Sequence, residues 1–236
     1  IGSSALLSNS TANDNVAVGY QALEQNTTGT SNVAVGCGAL ESNTTASDNV
    51  AMGKRALGGT TTGCRNTAMG RTAMNSNTEG DTNVAVGYQA LYANTTADNN
   101  TAIGSSALAA NTTGAQNTAM GANALRDNTT GANHVAIGFN SLVANTTADC
   151  NTVIGRCAMF TNTTGAKNTA VGVQAQFSNT QGSDNVSIGR NALYTNSTGS
   201  NNTAVGDQAL FANTTASNNT AVGKASMLST TTGTCN

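Results

Sequence analysis

One phrase of 17 residues repeats along the whole chain, and no copy gains or loses a residue. It reads Asn-Thr/Val-Ala-Val-Gly-x-x-Ala-Leu-x-x-Asn-Thr-Thr-Gly-x-x. It starts at Asn15 and recurs at Asn32, Asn49, Asn66, Asn83, Asn100, Asn117, His134, Asn151, Asn168, Asn185, Asn202 and Asn219, and Asn236 opens the next copy. A fixed period of this length marks a solenoid, in which each copy is one rung stacked on the last. Thirteen complete rungs cover residues 15–235, and residues 1–14 are the tail of an earlier one. Both ends fall inside a repeat, whereas a free-standing solenoid needs capping rungs. The expectation is therefore a single repeat array, 1–236, belonging to a longer chain. Positions below are counted from 1 to 17 within the rung.

Position 2 is Val or Thr, position 3 is Ala except at Val153 and Ser187, position 4 is Val, Ile or Met, and position 5 is always Gly. Alternation of branched and small side chains suits a short strand with positions 2 and 4 on one face and Ala on the other. The Gly lets the chain turn or pass close to another backbone. Positions 8 and 9 are mostly Ala-Leu, as in Ala22-Leu23 and Ala90-Leu91; Leu23, Leu40, Leu91 and Leu108 should lie behind one another as a core row. Gln176 is the polar break in that row, with Phe177 beside it to supply bulk. The segment reads as a strand or a single helical turn, and its Gln, Ala, Leu, Glu and Arg content leans slightly towards helix. Positions 12 to 15, as in Asn26-Thr27-Thr28-Gly29, form the corner, because Asn and Gly accept left-handed backbone. Stacked Asn side chains at positions 12 and 1 could bond along the axis.

Charge keeps the same register. Charged side chains avoid positions 2 to 5, 8 and 9, and burying an unpaired charge is costly, so those positions are expected to be the interior. Together these signals predict an all-β parallel β-solenoid, a β-roll, with 17-residue rungs. Strands stacked at ~4.8 Å would make a rod of about 65 Å. A rung this small has a thin core: burying one Leu stabilises by ~1.5–3 kcal/mol, while ordering costs ~1 kcal/mol or more per residue. Several chains packed together would hide more surface, so a homo-oligomeric fibre is expected, with a trimer as the leading arrangement.

Composition narrows the function. Charged residues are 8% of the chain and the net charge is −2, which argues against a nucleic-acid binder. Aromatics at 3% leave few stacking platforms, and no apolar run reaches a membrane span. Cys37, Cys64, Cys150, Cys157 and Cys235 do not fall at stacked positions; they read as tolerated small side chains, or as occasional disulfides within or between chains. His134 reads as a polar substitution for the repeated Asn. Glu79 and Asp81 are close in sequence but nothing places them in a shared pocket. No catalytic, cofactor-binding or metal residue is expected, and the chain is not expected to be an enzyme. The Asn-x-Thr triplets, such as Asn26-Thr27-Thr28 and Asn145-Thr146-Thr147, read as corner chemistry rather than glycan acceptors.

Asn32-Val33-Ala34-Val35-Gly36 and Asp184-Asn185-Val186-Ser187-Ile188-Gly189 resemble the head repeat of trimeric autotransporter adhesins, whose rung carries a similar Ser-Val-Ala-Ile-Gly strand. With Ala-Leu and Asn-Thr-Thr-Gly added, the phrase is similar to repeats of phage tail-fibre-like proteins and large bacterial surface proteins. The resemblance spans the chain, although the rung here is a few residues longer than the adhesin one. It implies a trimeric β-roll outside the cell. The expected function is the structural shaft of an extracellular fibre or surface appendage used for adhesion or host attachment. Any receptor or glycan would be met through a region outside this stretch. The alternative is a solenoid that itself binds ice, through the Thr columns at positions 13 and 14, or a glycan or receptor directly.

Overall fold

The computed structural model describes residues 1–235; Asn236, which opens a further copy in the sequence, lies outside the described residues. The chain is an all-β parallel β-solenoid built from 17-residue repeats, and no residue described is helical. Its described residues fall into two compact units, 1–116 and 117–235.

The first unit carries β1 (Val16–Val18), β2 (Val33–Val35), β3 (Val50–Met52), β4 (Thr67–Met69), β5 (Val84–Val86) and β6 (Thr101–Ile103). Each pairs in parallel with the next, and partners are the equivalent residues of neighbouring rungs, as in Ala34 with Ala51. The second unit repeats the plan with β7 (Thr118–Met120), β8 (Val135–Ile137), β9 (Thr152–Ile154), β10 (Thr169–Val171), β11 (Val186–Ile188), β12 (Thr203–Val205) and β13 (Thr220–Val222). Within each unit the Leu row aligns as its spacing requires: Leu23, Leu40, Leu57, Leu91 and Leu108 are fully buried in the first, Leu125, Leu142, Leu193 and Leu210 in the second.

Of the charge-free positions, 3, 8 and 9 face inward as expected, but 2 and 4 do not. Position 3 points inward: Ala34, Ala51, Ala85, Ala170 and Ala204 are fully buried. Positions 2 and 4 point outward and are half-buried or exposed in every strand, as in Val16 at 49% and Ile188 at 41% exposure. The physical reason is room. Ala204 shares one core cluster with Leu193, Leu210, Ala192, Ala209 and Ala221, so the Leu row and small Ala rows together fill the coil. A Val or Ile turned inward would overpack a cross-section this narrow.

The Ala-Leu segment is neither strand nor helix. It is a run of turns in which positions 7 and 9 take positive φ, as at Gln21 (57°), Leu23 (53°), Gln89 (54°) and Leu91 (51°). Alternate amides bond to the neighbouring rung, Leu23 N–H donating to the Ala39 carbonyl at 3.0 Å and Gln25 N–H to that of Glu41 at 3.1 Å, while Ala22 N–H closes a turn on the Gly19 carbonyl at 3.3 Å. A helix would have spent those donors four residues back along its own chain. Left-handed backbone costs an ordinary residue roughly 1–2 kcal/mol. Burying the Leu returns about 1.5–3 kcal/mol, so the row compensates for its own turn. The Gly at position 5 is a different case. Gly36 has φ 138°, and a Cβ there would lie 2.6 Å from the Gly53 carbonyl oxygen.

The inside of the rung is also polar, on a regular plan. At position 12, Asn43 donates its side-chain amide to Asn26 Oδ1 at 2.6 Å, and Asn26 donates to Asn9 Oδ1 at 2.9 Å. The second unit runs the same chain through Asn145, Asn162, Asn179, Asn196 and Asn213. At position 1 the link differs from stacked amides: Asn32 Oδ1 accepts the backbone N–H of Asn49 at 3.0 Å, while Asn32 Nδ2 crosses the coil to the Ala46 carbonyl at 2.8 Å. That carbonyl also accepts Asn43 Nδ2 at 3.1 Å. A fully buried amide is costly unless its donors and acceptor are used. The Asn at positions 1 and 12 meet that condition together and tie the strand to the corner, except at Asn43 and Asn213, whose Oδ1 atoms find no partner.

Candidate interaction surface

With Ala turned inward, each unit presents an outward sheet face made of positions 2 and 4. In the first unit it runs through Val16, Val18, Val33, Val35, Val50, Met52, Thr67, Met69, Val84, Val86, Thr101 and Ile103. In the second it is richer in Thr at position 2, with Met120, Ile137, Ile154, Val171, Ile188, Val205 and Val222 at position 4. No charged side chain interrupts either face. Tyr20, Tyr88 and Phe139 at position 6 stand exposed at the rim, and the Arg71 guanidinium lies 5.9 Å from the Tyr88 ring centroid. Water-exposed apolar area in a continuous patch is the ordinary mark of a contact surface.

A second apolar row lies at position 10 of the second unit. Phe160, Phe177, Tyr194 and Phe211 stack in sequence with ring centroids 5.1–5.3 Å apart and planes within 8° of parallel. Phe177 thus belongs to this outer column and does not fill the space beside Gln176, contrary to the expectation from their adjacency. Gln176 fits by bonding: its Nε2 donates to Asn168 Oδ1 at 3.0 Å and its Oε1 accepts from the Ser187 hydroxyl at 3.2 Å. The column was legible as one position read down successive rungs. Other rungs place Glu24, Glu41 or Arg126 there, which hides it from a rung-by-rung reading.

The remaining residues of interest are absorbed by the stack. His134 is buried in the position 1 row. Its Nε2 lies 2.6 Å from the Ala148 carbonyl and its Nδ1 3.1 Å from the Asn151 amide nitrogen. Asp81 accepts the Cys64 N–H at 2.7 Å and pairs with Arg65 at 3.1 Å, while Glu79 is exposed. Position 16 repeats that acceptor role elsewhere: Ser47 for Thr30, Asp98 for Asp81, Asp149 for Ala132. All five cysteines are free, and Cys64 Sγ accepts the Ser47 N–H at 3.3 Å.

The Thr columns divide by role. Position 13 hydroxyls donate to the next corner carbonyl, as Thr27 to Thr44 at 2.9 Å and Thr61 to Thr78 at 3.1 Å. Position 14 forms a single exposed column that includes Thr28 and Thr45. The triplet residues Asn26 and Asn145 are fully buried with their amides donating inside the coil. Among the described residues no group of three His, Cys, Asp or Glu could hold a metal ion, and no helix is long and apolar enough to cross a membrane. No family model, no curated protein and no solved structure matches the chain.

Proposed function

We propose that this chain is a structural shaft segment of an extracellular fibre or surface appendage that serves adhesion or host attachment, and that it works as a homo-oligomer, a trimer in the leading arrangement. The observation that carries the reading is the uncharged outward sheet face. The interior is already filled by Ala, Leu and bonded Asn, so the Val, Ile and Met at positions 2 and 4 are surplus to the single coil. A second copy of the same face offers them a matched apolar surface repeating at the same pitch. Burial returns ~25 cal/mol per Å² of apolar area removed from water, the contribution that a slim rung lacks alone.

The reading is non-catalytic. The one imidazole joins two rungs, and Asp81 is engaged by Cys64 and Arg65, so these groups serve the stack. Binding of a receptor or glycan is assigned to a region outside this stretch. The test is to display the 236-residue chain alone and measure its binding to host cells and to a glycan panel. The shaft reading expects no binding above an unrelated control of equal length. Saturable binding by this chain, lost on substituting outward residues, would replace it with a direct binding module.

A further inference from the structure

The row at position 1 is held by side chains that do not titrate, with one exception. In the second unit Asn151, Asn168, Asn185 and Asn202 each accept the next rung's amide on Oδ1 and donate across the coil from Nδ2. His134 copies both roles with a ring. Nδ1 stands in for Oδ1 and accepts the Asn151 N–H at 3.1 Å; Nε2–H stands in for the amide donor and reaches the Ala148 carbonyl at 2.6 Å. Both bonds require the neutral ring with its proton on Nε2. The other tautomer would face Nδ1–H against the Asn151 N–H and leave only the Asn145 amide, 3.2 Å away, as a donor to Nε2.

We propose that His134 is an acid-sensitive joint in the solenoid: protonation of the ring removes the acceptor for the Asn151 amide and loosens the rung 134–150 from the rung 151–167. The protonated ring has no lone pair, so two N–H groups would face each other where one bond had been. Burial holds the imidazole below its ordinary range; the Ala148 and Asn151 backbone contacts and the Asp149 carboxylate oppose that effect and do not overcome it. Asp149 is the charged group acting on the ring; Asn117 on the preceding rung, Asn145 on its own and Asn151 on the next are neutral amides. Because the folded state favours the neutral ring, its contribution is present above the ordinary histidine range near 6.5. It is lost as pH falls from there through the folded value. Rungs with Asn at position 1 have no such dependence.

The experiment compares the full chain with its His134→Asn variant, which installs the residue of the neighbouring rungs, by amide exchange at pH 7.5 and pH 5.0 after correction for intrinsic rates. The wild-type Asn151 amide is expected to lose protection by about tenfold or more relative to the variant at pH 5.0, with equal protection in both at pH 7.5. The imidazole resonances are expected to titrate below the ordinary histidine value. Identical pH dependence in the two proteins, or an imidazole titrating at or above that value, would overturn the proposal.

Discussion

Ser187 donates its hydroxyl to Gln176 Oε1 at 3.2 Å inside the coil, so the polar break in the Leu row and the lone Ser of the Ala row answer each other. They lie on adjacent rungs at positions 9 and 3. Ser187→Ala alone strands a buried acceptor and is expected to cost about 1–3 kcal/mol. Gln176→Leu leaves Asn168 Oδ1 with the Asn185 amide at 3.0 Å, so it should be tolerated. In that background Ser187→Ala gives up only the hydroxyl's bond to the Thr169 carbonyl at 3.3 Å and should cost no more than about 1 kcal/mol. A double-mutant cycle by denaturant unfolding measures the coupling, and additive effects would show that the pair is independent.

Thr60 interrupts the position 12 Asn chain. Asn43 Oδ1 and Thr60 Oγ1 are both buried without a partner. Asn213 Oδ1 is unpartnered in the same way, where Thr230 follows it at position 12. Thr60→Asn would supply a donor to Asn43 and an acceptor for the Asn77 amide. The expected gain is about 1–3 kcal/mol, read as a higher urea midpoint with unchanged slope.

Two glycines test the backbone plan in opposite directions. Gly70 has φ 138°, and a Cβ would sit 2.5 Å from the Gly87 carbonyl oxygen, so Gly70→Ala should lose roughly 3 kcal/mol or more. Gly38 has φ 67° at position 7, where Gln21 and Gln89 adopt similar values, and its nearest atom is the flexible Glu41 carboxylate. Gly38→Gln should change stability by no more than about 1 kcal/mol. Thermal unfolding of the two variants separates them.

The aromatic column should act as an outer clamp. Phe177 stacks on Phe160 and on Tyr194, so Phe177→Ala removes two ring contacts, each worth about 0.5–1.5 kcal/mol beyond its area. Leu193→Ala in the core of the same unit should cost more, about 2–5 kcal/mol. Unfolding of both variants checks that order.

The rung length, parallel register, Leu row and Asn corner were legible in the sequence because each is a column that repeats without slippage. Which strand face points inward was not. Ala34 and its neighbours Val33 and Val35 are all apolar and uncharged, so alternation fits either orientation until the width of the coil is known. The left-handed turns at Leu23 and Leu40 were also hidden: Leu has no preference for positive φ, and only the pairing of each turn with its neighbours holds it there. His134 was visible as a departure, but its meaning depends on two bond directions that spacing does not supply. The outward surface emerged only once the interior was seen to be full.

That surplus face is the centre of the account, and sedimentation equilibrium tests it most directly. The full chain should sediment at a multiple of its own mass, three chains in the leading arrangement, and a variant carrying Val35→Lys, Val86→Lys and Ile137→Lys should sediment as a folded single chain. A wild-type chain that stays single at concentrations of about 100 μM, well above a micromolar Kd, would contradict the account.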